Sequence, residues 1–356
     1  MNPNLPHAPF AHHGDTGTMV RLSLVNLALN AITLSLWRFW GKTRVRRALW
    51  SGTTAWGDPA EYTGTGRELF LGFIAIVFAV FLPLTIALTA AQAAMTAGHM
   101  WAGLVVMLLQ VLIAVLAAAG MYRARRYQLT RTVWRGIRAG QGGKAMTYGL
   151  IFLGVTVAAS MSLGWAAPWA EMELTCYRLN HTTFGDSRFR CDARPGPLYK
   201  RFAVLWFSGL IFLVGIAVLI GVVVPTVKTM ENPVPSVIGV VLAGLAWAVL
   251  TVALPMAWYR AGVLRHVAAN TTFNGIPFAL NAPTDALIKL GIGNWLISML
   301  SLGILRPWAA LRTFRFACGA LRMGSEPDWS HVHQSQAVIL RTGEGLAAVF
   351  DGAGDF

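Results

Sequence analysis

Four stretches of this chain decide what solvent it folds in. Residues 70–97, 101–121, 202–227 and 237–259 contain no Asp, Glu, Lys or Arg. Each is longer than the roughly 20 residues a helix needs to cross a bilayer. One buried helix of a soluble protein can be that apolar, but four in one chain describe a membrane protein. The net charge of +14 is read in that light. In a soluble chain it would point to nucleic acid. Here the cations sit beside the apolar runs and among tryptophans, so anionic lipid headgroups are the expected partner and nucleic acid is not.

One phrase occurs three times. It reads Thr33-Leu34-Ser35-Leu36-Trp37-Arg38-Phe39-Trp40, then Ser162-Leu163-Gly164-Trp165-Ala166-Ala167-Pro168-Trp169, then Ser301-Leu302-Gly303-Ile304-Leu305-Arg306-Pro307-Trp308. The expected architecture is an all-α polytopic membrane protein with internal repeats. Each repeat is a helical hairpin plus a shorter re-entrant or spanning segment. A polar tail (1–19) precedes one repeated membrane domain (20–322) with segments 20–37, 69–97, 101–121, 146–169, 202–227, 236–259 and 287–308. A C-terminal tail (323–356) follows. The first 19 residues carry no Lys or Arg, which argues against a cleaved signal peptide. Pro83 is expected to kink its helix.

The linking stretches also repeat. Thr53-Thr54-Ala55-Trp56-Gly57-Asp58, Thr182-Thr183-Phe184-Gly185-Asp186 and Thr271-Thr272-Phe273-Asn274-Gly275 each place threonines and an aromatic before a Gly with Asp or Asn. Thr and aromatics favour strands, and Gly-Asp and Asn-Gly favour tight turns. Short β-hairpins at the membrane surface follow, with Thr132-Val133-Trp134-Arg135-Gly136 as a degenerate fourth. Cys176, Cys191 and Cys318 have no CxxC spacing, so reduced cytoplasmic thiols are expected.

Charge orients the chain. Residues 38–67 hold six Lys/Arg, 122–144 seven, 178–201 six, 260–289 three and 306–322 four, while the tips of the two long hairpins hold only Lys228. The positive-inside rule puts all five basic regions in the cytoplasm. A single segment joins two of these regions at 146–169 and again at 287–308. Either these segments dip in and return, the favoured reading, or they cross and give the inverted repeats of transporters.

The phrase from Thr33 through Trp40, continued as Gly41-Lys42-Thr43-Arg44, together with Glu61-Tyr62-Thr63-Gly64-Thr65-Gly66-Arg67-Glu68-Leu69-Phe70-Leu71-Gly72, resembles the YjgN-like bacterial inner-membrane proteins. Pro168-Trp169, Pro307-Trp308 and Gly343-Glu344-Gly345-Leu346-Ala347 are similar too, and the likeness runs from about residue 20 to the end. It implies a multi-pass inner-membrane protein carrying a domain of unknown function, with no established site residues to carry over.

Catalytic chemistry is not evident. Gly41-Lys42-Thr43 ends like a phosphate loop, but Leu36 stands where that loop needs its first glycine. Thr63-Gly64-Thr65-Gly66 reads as a turn before a helix. His331-Val332-His333 lacks a third metal ligand, and Glu171 and Glu173 face different ways on a helix. No enzyme, cofactor or metal is expected. The expected headgroup-binding set is Arg38, Trp40, Lys42, Arg44, Arg47, Trp169, Trp308, Arg312 and Arg315. Asn26 and Asn294, separated by the same 268 residues as Thr33 and Ser301, are the polar groups expected within the membrane. Two roles follow: transport or handling of an anionic lipid or small solute, or a non-transporting scaffold or regulator of a partner enzyme.

Overall fold

A computed structural model describes residues 7–223, 225–226, 229 and 233–334. Lys228, the 343–347 motif and the rest of the chain beyond residue 334 lie outside the described residues. The helices are α1 (Thr16–Ile32), α2 (Arg38–Ser51), α3 (Gly66–Thr96), α4 (Met100–Thr130), α5 (Ala145–Met161), α6 (Ala167–Asn180), α7 (Gly196–Val222), α8 (Val237–Ala269), α9 (Thr284–Leu300) and α10 (Arg306–Ala320). Among the described residues, α3, α4, α7 and α8 are the helices long and apolar enough to cross a membrane, and their most apolar stretches are at most 22% buried. Side chains so bare of protein cover belong in lipid.

The all-α expectation needs correction. The surface hairpins join into one 10-stranded antiparallel sheet whose strands follow chain order. They are β1 (Phe10–His12), β2 (Thr53–Ala55), β3 (Asp58–Tyr62), β4 (Thr132–Trp134), β5 (Ile137–Gln141), β6 (Thr182–Phe184), β7 (Ser187–Cys191), β8 (Thr271–Phe273), β9 (Ile276–Leu280) and β10 (Leu321–Met323). The sheet closes on itself. The His7 N–H donates to the Met323 carbonyl at 3.3 Å, and the Met323 N–H returns a bond to His7 at 3.0 Å. Closure leaves no free edge. Residues 7–19, read as a polar tail, therefore supply β1 and open α1. Residues 321–334 belong to the same ring.

Topology fixes which edge faces the helices. Neighbouring strands are antiparallel, so the end of each odd strand and the start of each even strand share one edge. All the helical hairpins leave from and return to that edge, and four tight turns occupy the other. Three turns put both central residues at positive φ: Trp56-Gly57 (48°, 91°), Arg135-Gly136 (49°, 74°) and Asn274-Gly275 (48°, 80°). These suit the right-handed twist of the strands. The 132–136 stretch is thus a full hairpin.

The recurring threonine has a local cause. Where a helix ends, the first strand residue turns its hydroxyl back to the carbonyl four residues earlier. Thr53 bonds Leu49, Thr132 bonds Gln128, Thr182 bonds Arg178 and Thr271 bonds Val267, at 2.7–2.9 Å. An orphan carbonyl at each helix terminus is satisfied this way. Prolines leave a second signature. Wide π turns at Val77–Phe81, Leu219–Val223 and Val249–Ala253 each end two residues before Pro83, Pro225 or Pro255. A wide turn gives room to a ring that has no N–H and crowds the preceding turn.

The thrice-written phrase makes the tips of the short hairpins. Leu34, Leu163 and Leu302 have φ of 50°, 50° and 51°, followed by Ser35, Gly164 and Gly303, also at positive φ. Thr33, Ser162 and Ser301 accept from the amides of Trp37, Ala166 and Leu305 at 2.9–3.1 Å. The chain then returns. β5 leads into α5, the tip, α6 and β6, which pairs with β5, so segment 146–169 goes out and comes back. Segment 287–308 does the same between β9 and β10. The tips stop short of the long helices' ends. Arg38 and Phe39 meet Phe73, about 10 Å along α3 at 1.5 Å per residue. Trp165 likewise meets Tyr199, Phe202 and Trp206 in the early turns of α7. Inverted spanning repeats are not built here.

Candidate functional site

The basic region 38–67 is largely helix, and α2 carries most of its cations. Their positions divide them. Arg47 is clamped: its guanidinium donates to the Gly64 carbonyl at 2.8 Å. The same clamp recurs at equivalent positions, six residues before a strand and reaching two residues past the next strand around the ring. Arg126 donates to Gly143, Arg265 to Ala282 at 2.9 Å, and Arg315 to Gly14. Arg47 and Arg315, expected at headgroups, thus each commit one side of the guanidinium to a backbone carbonyl. The sequence offered a signal for this in the constant spacing from arginine to strand.

The expected tryptophans also divide. Trp40 stacks on Trp37 and sits against Phe70, and a Cβ on Gly66 would come within 2.8 Å of its Cα. Trp308 packs beside Met19, Val45, Leu49, Ala310 and Leu311, where the third short hairpin meets the first. Both serve packing. Trp169 stays 38% exposed on α6. Asn26 bonds within its own hairpin, accepting from Trp37 Nε1 at 3.2 Å and donating to the Gly41 carbonyl. Asn294 donates to Thr313 at 2.9 Å across α9 and α10. The two asparagines hold equivalent helix pairs together. Glu171, one of the two acids past Trp169, accepts from Tyr259 at 2.8 Å and Arg260 at 3.1 Å, tying α6 to α8. Glu68 bonds Tyr127 and Arg131, and Thr65 caps the start of α3, so that helix terminus is already occupied.

What remains is a cationic face on the returning helices of the first and third short hairpins. Arg38 lies over Phe39 and Phe73 at 4.8 and 4.9 Å, and Arg44 over Trp37 at 6.0 Å. Arg312 lies flat on its hairpin, where a Cβ on Gly293 would meet its two terminal nitrogens at 2.7 Å. Among the described residues, no carboxylate pairs with Arg38, Lys42, Arg44 or Arg312. Burial, with Arg46 and Arg38 nearby, pulls the Lys42 ammonium down to about 8. Lys42 would therefore gain by meeting an anion. No group of three potential metal ligands occurs among the described residues.

Two features bear on passage through the molecule. A large apolar cleft of about 1080 Å³ opens between α7 and α8, lined by Phe207, Ile211, Gly215, Leu219, Val241 and Trp247. The strand ring is filled with aromatics at its turn edge. Trp329 meets Trp134 at 4.7 Å, Phe184 at 6.1 Å and Phe273 at 6.2 Å. A side chain touching three non-adjacent strands sits within the mouth of the ring.

Together these describe a polytopic membrane protein whose helical hairpins stand on a closed strand ring. The chain belongs to the family described as bacterial protein of unknown function (DUF898), which matches residues 7–349 and is the YjgN-like family. No curated protein and no solved structure matches it.

Proposed function

We propose that the protein binds anionic lipid headgroups at the cytoplasmic face of the bacterial inner membrane, with its short hairpins dipping into the near leaflet. The observation that carries this is the first short hairpin. Its tip exposes Leu34 at 89% and Leu36 at 54%, and the first two turns of helix beyond it carry Arg38, Lys42 and Arg44 without an acidic partner among the described residues. Leu163 and Leu302 repeat the exposed tip at 80% and 90%. In water each such leucine forgoes about 2 kcal/mol of burial, and its left-handed backbone costs about 1 more. Lipid removes the first cost. Apolar tips with snorkelling cations are how a helix seats itself at an interface. The five basic regions lie on or beside one ring, which supports placing that ring in the cytoplasm.

The test compares binding to nanodiscs of phosphatidylglycerol and of phosphatidylcholine. Each interfacial cation contributes about 1 kcal/mol, so Arg38→Gln with Arg44→Gln should weaken the preference about 30-fold. Affinity should also fall as pH rises through 8, because only protonated Lys42 attracts the headgroup, and Lys42→Arg should flatten that profile. Equal binding to both lipids would overturn the proposal. A non-transporting role is supported by the aromatic packing around Trp329, which fills the mouth a hydrophilic solute would need.

A further inference from the structure

The arginine clamp is broken once. In the unit of α5, α6, β6 and β7, the position six residues before the strand is Cys176. Its Sγ points at the same carbonyl, that of Ala193, at 3.8 Å, too far to replace a guanidinium. The last residue of the paired strand is Cys191, where the other units have His12, Tyr62, Gln141 and Leu280. Cys191 is 2% exposed, and Asn180 holds its backbone on both sides, accepting from its N–H at 2.6 Å and donating to its carbonyl at 3.2 Å. Cys176 packs on the cluster that contains Cys191, and it lies one helical turn before the Asn180 that holds Cys191, so one face of α6 carries both the thiol and the clamp on its neighbour. No third ligand stands by to make a metal site among the described residues.

We propose that Cys176 and Cys191 form a reversible disulfide that clamps this one joint of the ring covalently, in place of arginine. The inference stands independently of lipid binding. Hydrogen peroxide is the oxidant. A thiolate attacks one peroxide oxygen, forming S–O and breaking O–O, and hydroxide leaves. The second sulfur attacks the sulfenic sulfur, forming S–S and breaking S–O, and hydroxide leaves again. The two thiol protons convert both hydroxides to water, so two thiols lose two electrons to one peroxide. The neighbouring Cys176 thiol draws the Cys191 thiol down, while Cys191 and burial push the Cys176 thiol up. Cys318 is buried without a thiol neighbour and serves as an internal control.

The full chain in nanodiscs is treated with hydrogen peroxide, then alkylated and digested. The expected result is an intact mass lower by two hydrogens and a peptide pair joining Cys176 to Cys191, both reversed by dithiothreitol. Amide exchange across the joint at residues 192–194 should slow by about tenfold on oxidation. Cys176→Arg should slow the same amides without peroxide and abolish their redox response. Free alkylation of both cysteines after peroxide, or added oxygen without a crosslink, would overturn the proposal. The wild-type measurement holds even where a variant fails to fold.

Discussion

Trp329→Ala is expected to lower the stability of the strand ring by about 3 kcal/mol, the low end for removing a large aromatic because its indole is only half-buried. The residue closes the turn edge of the ring through Trp134, Phe184 and Phe273 on β4, β6 and β8. Its indole N–H donates to Glu326 at 3.0 Å. The segment that follows is tied across the turn edge. The Asp186 N–H donates to the His333 carbonyl at 3.0 Å, and the His333 N–H donates to the Asp186 carboxylate at 3.1 Å. Strands of three to five residues have few ladder bonds of their own, so the aromatic filling supplies much of what holds them. Faster amide exchange throughout β4, β6 and β8, with the long helices unchanged, is the expected pattern. Trp329→Phe should recover most of the loss. Unchanged exchange in the strands would show that the ring does not depend on its aromatic filling.

Gly149→Leu should destabilise the membrane domain by about 3 kcal/mol, near the top of the range for overpacking. A Cβ on Gly149 would lie 2.6 Å from the Val115 carbonyl oxygen and 3.0 Å from its Cγ1, and backbone cannot swing aside as a side chain can. The close contact places Tyr148 on Tyr122 with ring centroids 5.0 Å apart, so forcing α4 and α5 apart opens that stack too. Gly154 sits on the same helix with nothing within 4 Å of its would-be Cβ. Gly154→Leu should therefore leave thermal unfolding in detergent or nanodiscs unchanged. Two glycines five residues apart would then separate close helix packing from general tolerance of bulk. Equal effects at both sites would remove α4–α5 packing as the cause.

The four long helices were legible because their signal is local: unbroken apolar runs flanked by cations. The tight turns were legible because Asn274-Gly275 and Gly185-Asp186 advertise their backbone angles. The pairing of one hairpin with the next was not, since β3 meets β4 across 69 intervening residues and strands this short carry no register pattern of their own. The arginines misled for a similar reason. Arg47 and Arg44 look alike in sequence, and only the path of the chain at Gly64 makes one a clamp and leaves the other over Trp37. Asn26 and Asn294 stand at matched positions in the sequence, but the spacing alone does not show that each bonds within its own helix pair. Cys176 reads in the sequence only as a reduced thiol because its position is comparative: it stands out once Arg47, Arg126, Arg265 and Arg315 are seen to occupy the same station.

An odd ring cannot alternate. Short and long helical hairpins follow one another around the described ring, so the first and last, both short, become neighbours, with α1 against α10. Among the described residues, that side has two shallow hairpins and no transmembrane wall. With these seated as proposed, ten helices enter the near leaflet and four the far one among the described residues. At roughly 80 Å² per 10 Å cylinder, the near leaflet yields about 500 Å² more area than the far leaflet. On that proposed seating the molecule is a wedge, and it should gather where the membrane bends to make room on the ring's side.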